Sequence, residues 1–318
     1  MNIRDIAKLS GYSSGTVSRV INNNDYVSEK ARKTIKKIIK EYDYAPNDVA
    51  RNLSNGKTCD IGVVLPHNKH PYYTQLVDGI MDEAFASGYR IVLLPSKFDS
   101  KTELKYLNRL RRKAYDSIIF TSHGLPLEKI YKYKQYGSIV CCQNPGEYDI
   151  AAAYTMRESS YIDALNWIKL HNFKKISILL SRDTTVSATA QKTFSAYEKV
   201  FNTAPKNELL NTNVTTFEDG YSAAKQFHAN HQYPDVYFTN GDDIAAGVRQ
   251  FYLDNSLEIP QLIGQENQLS GQILNIPTIN HHFQQVGKLA CRLAINNQTK
   301  QLPVESEFIF RQQKAIEN

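Results

Sequence analysis

From residue 60 onward, strand-length apolar runs alternate with amphipathic helical stretches, and this alternation limits the possible folds more sharply than any other feature of the chain. DIGVVL (60–65), RIVLL (90–94), DSIIF (116–120) and SIVCC (138–142) read as buried parallel strands, with helices expected near 72–87, 101–113 and 127–136. A second set, KISILL (175–180), DVYFT (235–239) and PQLIG (260–264), is interleaved with helices near 157–171, 186–202, 219–230, 242–255 and 283–297. Parallel strands need crossover connections, so the regular succession implies an α/β architecture. Two such sets in about 260 residues fit two Rossmann-like lobes facing a cleft.

Several classes are excluded at once. With 42% hydrophobic and 22% charged residues the chain is neither collagenous nor disordered. No apolar run reaches the length of a bilayer span, and the N-terminus has no hydrophobic signal segment, so a cytoplasmic protein is expected. Cys59, Cys141, Cys142 and Cys291 form no C-x-x-C pair, and His281 with His282 lacks further ligands at usable spacing, so neither a metal nor another cofactor is expected. The absence of P-loop, G-x-S-x-G, H-E-x-x-H and dinucleotide fingerprints argues against an enzyme.

Charge is unevenly divided. Residues 1–58 hold 11 Lys/Arg against 6 Asp/Glu and so carry +5 of the net +6. A small basic unit on a neutral one is either a polyanion binder or a solvated basic face. Its apolar pattern decides between them. Ile3, Ile6, Ala7 and Leu9 mark one short helix, Gly11 suits a left-handed turn, and Ser13 can cap a second helix carrying Thr16, Val17, Val20 and Ile21. A third helix, from Ser28 to about Tyr42, presents Val27, Ala31, Ile35, Ile38, Ile39 and Tyr42 to a three-helix core and Lys30, Arg32, Lys33, Lys36, Lys37 and Lys40 outward. This is a helix-turn-helix, whose second helix enters the DNA major groove. Ser14, Gly15, Thr16 and Ser18 then lie near base edges, Arg19 one turn on can form a bidentate contact with guanine, and Asn22 is a further DNA-binding candidate. Arg4, Ser13 and Thr16 suit phosphates. Asn47 can cap a two-turn helix from Asp48 to Ser54, too short to be stable alone.

The run IRDIAKLSGYSSGTVSRVINNNDYVSEKARKTIKKIIKEYDYAPNDVARNL, with its T-V-S-R-V-I-N, V-S and Y-x-P-N-x-V-A-R-x-L elements, resembles the head piece of the lac repressor (LacI/GalR) family of bacterial transcription regulators. The similarity continues through IGVVLPHNKHPYYTQLVDGI and GDDIAAGV to about residue 311. It implies a lambda-repressor-like helix-turn-helix domain (1–45), a hinge helix and linker (46–58), and a periplasmic-binding-protein-like effector and dimerisation core (59–318). In that core the N-lobe is expected at about 59–153 and 283–303, and the C-lobe at about 154–280 and 304–318. It also implies a homodimer on a pseudo-palindromic operator. Leu53 would be the minor-groove wedge, Ala50 the packing point of paired hinge helices, and Asn47 and Arg51 further DNA contacts. Gly15, where the family often has a base-reading side chain, and Asp48, a negative charge near phosphates, leave the operator sequence open.

Ligands of open α/β sheets bind beyond the carboxyl ends of strands. There stand His70 to Tyr73, Gln143, Arg182, Asp242, Glu266 and His281 to Phe283, a set of carboxyl and amide groups with flat aromatic faces that suits a sugar or oligosaccharide. The family's effector positions fall on Tyr72, Gln143, Thr193, Gly241, Asp242, Glu266, His281 and Phe283. Thr193 replaces the usual arginine, Gly241 a hydrogen-bonding side chain and Glu266 an aspartate, so Arg182 or Lys192 is expected to supply the missing charge; Tyr73 completes the expected site. The resulting expectation is a repressor of carbohydrate-utilisation genes gated by a sugar effector. Alternatives are control by a partner phosphocarrier protein, or a sugar-binding or sugar-modifying protein with a basic arm.

Overall fold

The computed structural model describes residues 1–23, 26–45, 56–66, 70–185 and 187–312. Two compact units, Met1–Cys59 and Asp60–Asn318, make up the chain. The first holds α1 (Ile3–Ser10), α2 (Ser14–Ile21) and α3 (Glu29–Glu41). The start of α1 is closed by a capping box. Asn2 Oδ1 accepts the Arg4 and Asp5 N–H groups, and Asp5 Oδ2 accepts the Asn2 N–H at 2.8 Å. Gly11 ends the helix at φ +71°, and Ser13 Oγ caps α2 by accepting the Thr16 N–H at 3.2 Å.

Ile6, Val17, Val20 and Ile35 form the centre of this small core, flanked by Ile3, Ala7, Tyr12, Ile21, Val27, Ile38, Ile39 and Tyr44. Two expected members lie elsewhere. Leu9 is 50% exposed, because at 100° per residue it sits about 110° from the middle of the Ile3/Ile6/Ala7 stripe. Tyr42 is 49% exposed because α3 stops one residue before it. The chain folds back through the Tyr44 N–H to Ile39 O bond, and Tyr44 takes the core position.

The second unit contains two six-stranded sheets among its described residues. Lobe 1 is built from β1 (Asp60–Leu65), α4 (Pro71–Ala86), β2 (Arg90–Pro95), α5 (Ser100–Arg111), β3 (Ser117–Phe120), α6 (Leu127–Tyr131), β4 (Ser138–Cys141) and β5 (Ala151–Met156). Lobe 2 follows with α7 (Glu158–Leu170), β6 (Ile176–Leu179), α8 (Ala188–Phe201), β7 (Leu210–Asn211), α9 (Phe217–Ala229), β8 (Val236–Phe238), α10 (Asp242–Asp254), β9 (Gln261–Gln265), α11 (Leu269–Ile273) and β10 (Thr278–Asn280). The chain then returns to lobe 1 for α12 (Phe283–Ile295) and β11 (Gln301–Glu305), and ends in lobe 2 with β12 (Glu307–Ile309). The sheet orders are β11-β5-β4-β3-β1-β2 and β12-β10-β9-β8-β6-β7. Every pairing is parallel except β10 with β12.

Three chain crossings therefore join the lobes, at 156–158, 280–283 and 305–307. The first and third come slightly later than expected, because β5 and β11 stay paired as far as Met156 and Glu305. The crossings are bonded to one another. Ser306 donates to Met156 O through both its N–H (3.2 Å) and its hydroxyl (2.6 Å), and the Thr155 hydroxyl donates to His281 O at 2.8 Å.

Helices α4 and α12 cover lobe 1 and touch backbone to backbone. A Cβ on Gly79 would stand 2.0 Å from the Gln284 carbonyl oxygen. In lobe 2 the fully buried Asp242 at the start of α10 ties down two loops, accepting the Thr278 hydroxyl and the Gln268 N–H, each at 2.6 Å. Burial raises its pKa to about 7 against the lowering effect of those bonds.

Gly79→Ala is expected to part the two helices and cost about 1–3 kcal/mol in urea unfolding, and an unchanged midpoint would show that they have room to separate. The Asp242 prediction concerns pH. From the carboxyl's ordinary value of 3.8 up to about 7, native Asp242 keeps a proton that the unfolded chain has released, so its contribution to stability falls as pH rises through that window. The drop in urea midpoint between about pH 5 and about pH 7.5 should therefore shrink in Asp242→Asn; equal drops in both proteins would contradict this.

Candidate functional site

In the first unit the exposed side of α2 carries Ser14, Gly15, Arg19 and Asn22, while Val17 and Val20 are turned into the core. Ser18 and Thr16 are half-buried at its margin. Ser18 Oγ accepts from Asn22 Nδ2 at 3.5 Å, and the Ser13 and Thr16 hydroxyls pair at 3.0 Å, so capping already engages two of the groups expected at phosphates. Arg4 is exposed on α1. Gly15 needs no special backbone, and a Cβ there would meet only Ser13 Oγ at 3.8 Å. The hinge positions Asn47, Asp48, Ala50, Arg51 and Leu53 lie outside the described residues.

The second site is the cleft between the lobes. His70 caps α4, its Nδ1 accepting the Tyr72 N–H at 3.2 Å. The Tyr72 hydroxyl donates to Thr121 O at 2.7 Å, and its ring meets Phe283 (4.6 Å) and Tyr73 (4.8 Å) edge to face. Burial raises both phenols, Tyr73 to about 12, with the Arg182 charge opposing. On the lobe 2 side Gln265, the last residue of β9, is a hub. Its Oε1 accepts the Tyr161 hydroxyl (3.1 Å) and His281 Nε2 (2.9 Å), and its Nε2 donates to Thr239 O (2.9 Å). This network assigns the Nε2–H tautomer to His281. Burial, then the Arg157 charge, holds that imidazole well below its usual pKa, so it is neutral, and its Nδ1 is a buried acceptor without a hydrogen bond.

Glu266 sits at φ +83°, a strained value for a residue with a side chain. Its carboxyl is buried, with Oε1 3.3 Å from His70 Nδ1 and Oε2 unpartnered. Burial and the nearby Asp242 charge raise its pKa well above the carboxylate range, with Arg157 opposing. The lobes also touch here. Gln75 Nε2 on α4 donates to Glu266 O at 3.0 Å, and the Arg182 guanidinium lies 4.6 Å from the Phe98 ring centre. An opening of about 320 Å³ runs between α4 and the segment around Glu266, Asn280 and His282.

Tyr72, Tyr73, Glu266, His281 and Phe283 are thus brought together, with Arg182 joined to them through Tyr73 and Phe98. Thr193, its hydroxyl bonded to Thr189 O at 3.1 Å, lines a small cavity beside Arg182. Gln143 is half-buried beyond β4 and makes no ring contact or hydrogen bond with the others. Asp242 belongs to the frame beneath the cleft, with both oxygens engaged by protein donors, and Lys192 is exposed on α8. Sequence reasoning missed Arg157, Tyr161 and Gln265. Arg157 directly follows β5, whose Ala-rich start hides it as a strand. Among the described residues no group of three or more His, Cys, Asp or Glu stands close enough to hold a metal ion, and no helix is long and apolar enough to cross a membrane.

Residues 2–47 match the family described as bacterial regulatory proteins, lacI family, and residues 58–296 match the periplasmic binding proteins and sugar binding domain of the LacI family. Catabolite control protein B of Bacillus subtilis is 31% identical over 96% of this chain and 98% of its own length. The ribose operon repressor of Escherichia coli is 26% identical over 94% and 93%. The lac repressor dimer bound to operator shares the fold at a TM-score of 0.83, with 17% identity over 98% of each chain. The CelR–cellobiose complex does so at 0.68, with 17% identity over 99% of this chain and 100% of that one. A helix-turn-helix head with an exposed α2 and a two-lobed core with an aromatic cleft agree with both matches: the chain belongs to the LacI family of bacterial regulatory proteins and is a DNA-binding transcription regulator, not an enzyme.

Proposed function

We propose that the protein is a homodimeric, cytoplasmic repressor of carbohydrate-utilisation genes, released from or held on its operator by a sugar bound in the cleft. The observation that carries this reading is where the cleft is built: His281 and Phe283 lie on the crossing that links β10 to α12, so a ligand touching them acts on the joint between the lobes. Relatives named for catabolite control and for a ribose operon support the gene class. Structural neighbours with bound glucose and cellobiose support the ligand class. Tyr72, Tyr73, Glu266, His281 and Phe283 are the core of the proposed contact set, Arg182 and Thr193 its lobe 2 side and Gln143 its outer member.

The lac repressor neighbour is a dimer. Here Met81 and Phe85 on α4 and Leu93 on β2 are exposed in lobe 1, Phe85 at 88%, and Leu269 and Ile273 are exposed on α11 in lobe 2. Such apolar area is costly in water and suits a second copy. Residues 1–45 would supply the operator-reading head and residues 46–58 the hinge, with Asn47, Ala50, Arg51 and Leu53 on DNA.

The test pairs a thermal-shift screen with operator binding on the full chain. A sugar that raises the melting temperature and moves operator affinity in the same titration supports the reading. A melt that no sugar moves would favour a protein partner as the controlling signal. Arg19→Ala is expected to weaken operator binding by about 1–3 kcal/mol and relax one base position, with the melt unchanged because Arg19 is exposed. Operator affinity equal to wild type would remove Arg19 from base reading. Affinity should fall steeply with salt, and a flat dependence would contradict phosphate contacts by the basic head.

A further inference from the structure

Two guanidinium groups in the cleft lack the anionic partners that arginines of partly buried sites normally have. Arg157 stands on the first crossing, half-buried, its guanidinium carbon 5.2 Å from the Phe283 ring centre. Its charge reaches Tyr72, Glu266 and His281. Arg182 follows β6 in lobe 2, half-buried over Phe98, and its charge reaches Tyr73. Tyr72 and Tyr73 are themselves in contact, so the two cations flank one aromatic pair. Among the described residues neither guanidinium forms an ion pair or a hydrogen bond; Arg157 is engaged only through its backbone carbonyl, which accepts the Tyr161 N–H and the Ser160 hydroxyl, each at 3.1 Å.

The acids nearest in sequence are already occupied. Asp183 accepts the Thr185 N–H and hydroxyl, each at 2.8 Å, and Glu158 pairs with Lys199. Of the acids that line the opening, Asp78 accepts Gln284 Nε2 at 2.9 Å, and Glu266, whose pKa burial raises well above the carboxylate range, bonds to neither guanidinium. Both guanidinium groups therefore lack a protein counter-ion, and leaving such charges unpaired in partly desolvated surroundings is unfavourable. Each guanidinium lies over an aromatic ring, and its N–H groups, which no protein acceptor engages, suit a planar or tetrahedral oxyanion. Beside this pair lie an aromatic wall for a sugar ring, Tyr72 and Phe283, and two buried unpartnered acceptor positions for hydroxyls, His281 Nδ1 and Glu266 Oε2.

We propose that the effector is an anionic hexose, a phosphate ester or a sugar acid, whose charged group is bound by Arg157 and Arg182. This deepens the sugar reading of the cleft and rests on it. A neutral sugar would satisfy the hydroxyl acceptors and the ring wall but leave both cations uncompensated, so discrimination follows from charge.

The experiment is calorimetric titration of the full chain with the 1- and 6-phosphates of glucose, fructose and galactose, their parent sugars, gluconate, galacturonate and inorganic phosphate. At least one charged hexose is expected to bind about tenfold or more tightly than its parent sugar, and the esters compared with the acids identify which anion is meant. Arg157→Gln and Arg182→Gln should each cost that ligand about tenfold, Arg→Lys at either position less, with unliganded melting temperatures close to wild type. Should one glutamine variant melt early, the other and the lysine pair decide. Neutral sugars binding as tightly as every charged form, or glutamine variants that keep full affinity for the charged ligand, would overturn the inference and leave the sugar reading intact. Inorganic phosphate matching the best ester would overturn the sugar part of both. No binding by any sugar, charged or neutral, would remove the sugar reading itself.

Discussion

The protein's second unit depends on the bonding among its three chain crossings. Ser306 donates twice to Met156 O, its hydroxyl lies 2.5 Å from that of Ser160, and Thr155 holds the carbonyl of His281. A single crossing would let one lobe swing freely on the other. Three crossings sewn side by side leave a narrow range of relative motion, because any large displacement breaks buried hydrogen bonds. The groups that face the cleft, Arg157, His281 and Phe283, stand on or beside these same crossings. Occupancy of the cleft and the angle between the lobes are thus set by one set of contacts, and a ligand shifts the equilibrium only as far as it prefers one angle.

The electrostatics of the cleft follow from burial. Burial disfavours the charged form of both Glu266 and His281, raising the pKa of the carboxyl well above its ordinary value and holding that of the imidazole well below its own. The backbone is strained at the same place: Glu266, Asn267 and His282 all hold positive φ. Such conformations persist where the surroundings enforce them, here through the Glu266 N–H to Ile279 O bond at 2.7 Å and the Asn280 side chain on the His282 N–H at 3.1 Å.

Much of the architecture was readable in the sequence because its strands are rich in Ile, Val and Leu and its helices are amphipathic. What escaped was β5, with AAA at its start, and the short or edge strands β7, β10, β11 and β12. Strand β11 carries Pro303, which a sequence reading takes as a breaker and the structure places at a sheet edge. Missing β5 meant missing Arg157. Residues beyond the ends of strong strands could be named as candidates from the sequence, as Glu266 and Tyr72 were. The neighbours that orient them were not. Gln265 is a glutamine at the end of an apolar run, and Tyr161 is an aromatic on a helix; nothing local marks either as a hydrogen-bonding hub. Asp242, named for its strand-end position, has both carboxyl oxygens on donors of its own lobe, Thr278 and Gln268, which its sequence neighbours do not announce.

The glycine at the front of α2 has an evolutionary consequence. Residue 15 lies on the exposed side of α2, in ordinary helical backbone, with open space where a side chain would project. If this face reads DNA as proposed, a duplicated gene can acquire a different operator through a single codon there, with no compensating change in the three-helix core. Divergence of regulatory circuits needs such positions, where one mutation alters the address that a regulator reads while the fold that carries it stays as stable as before.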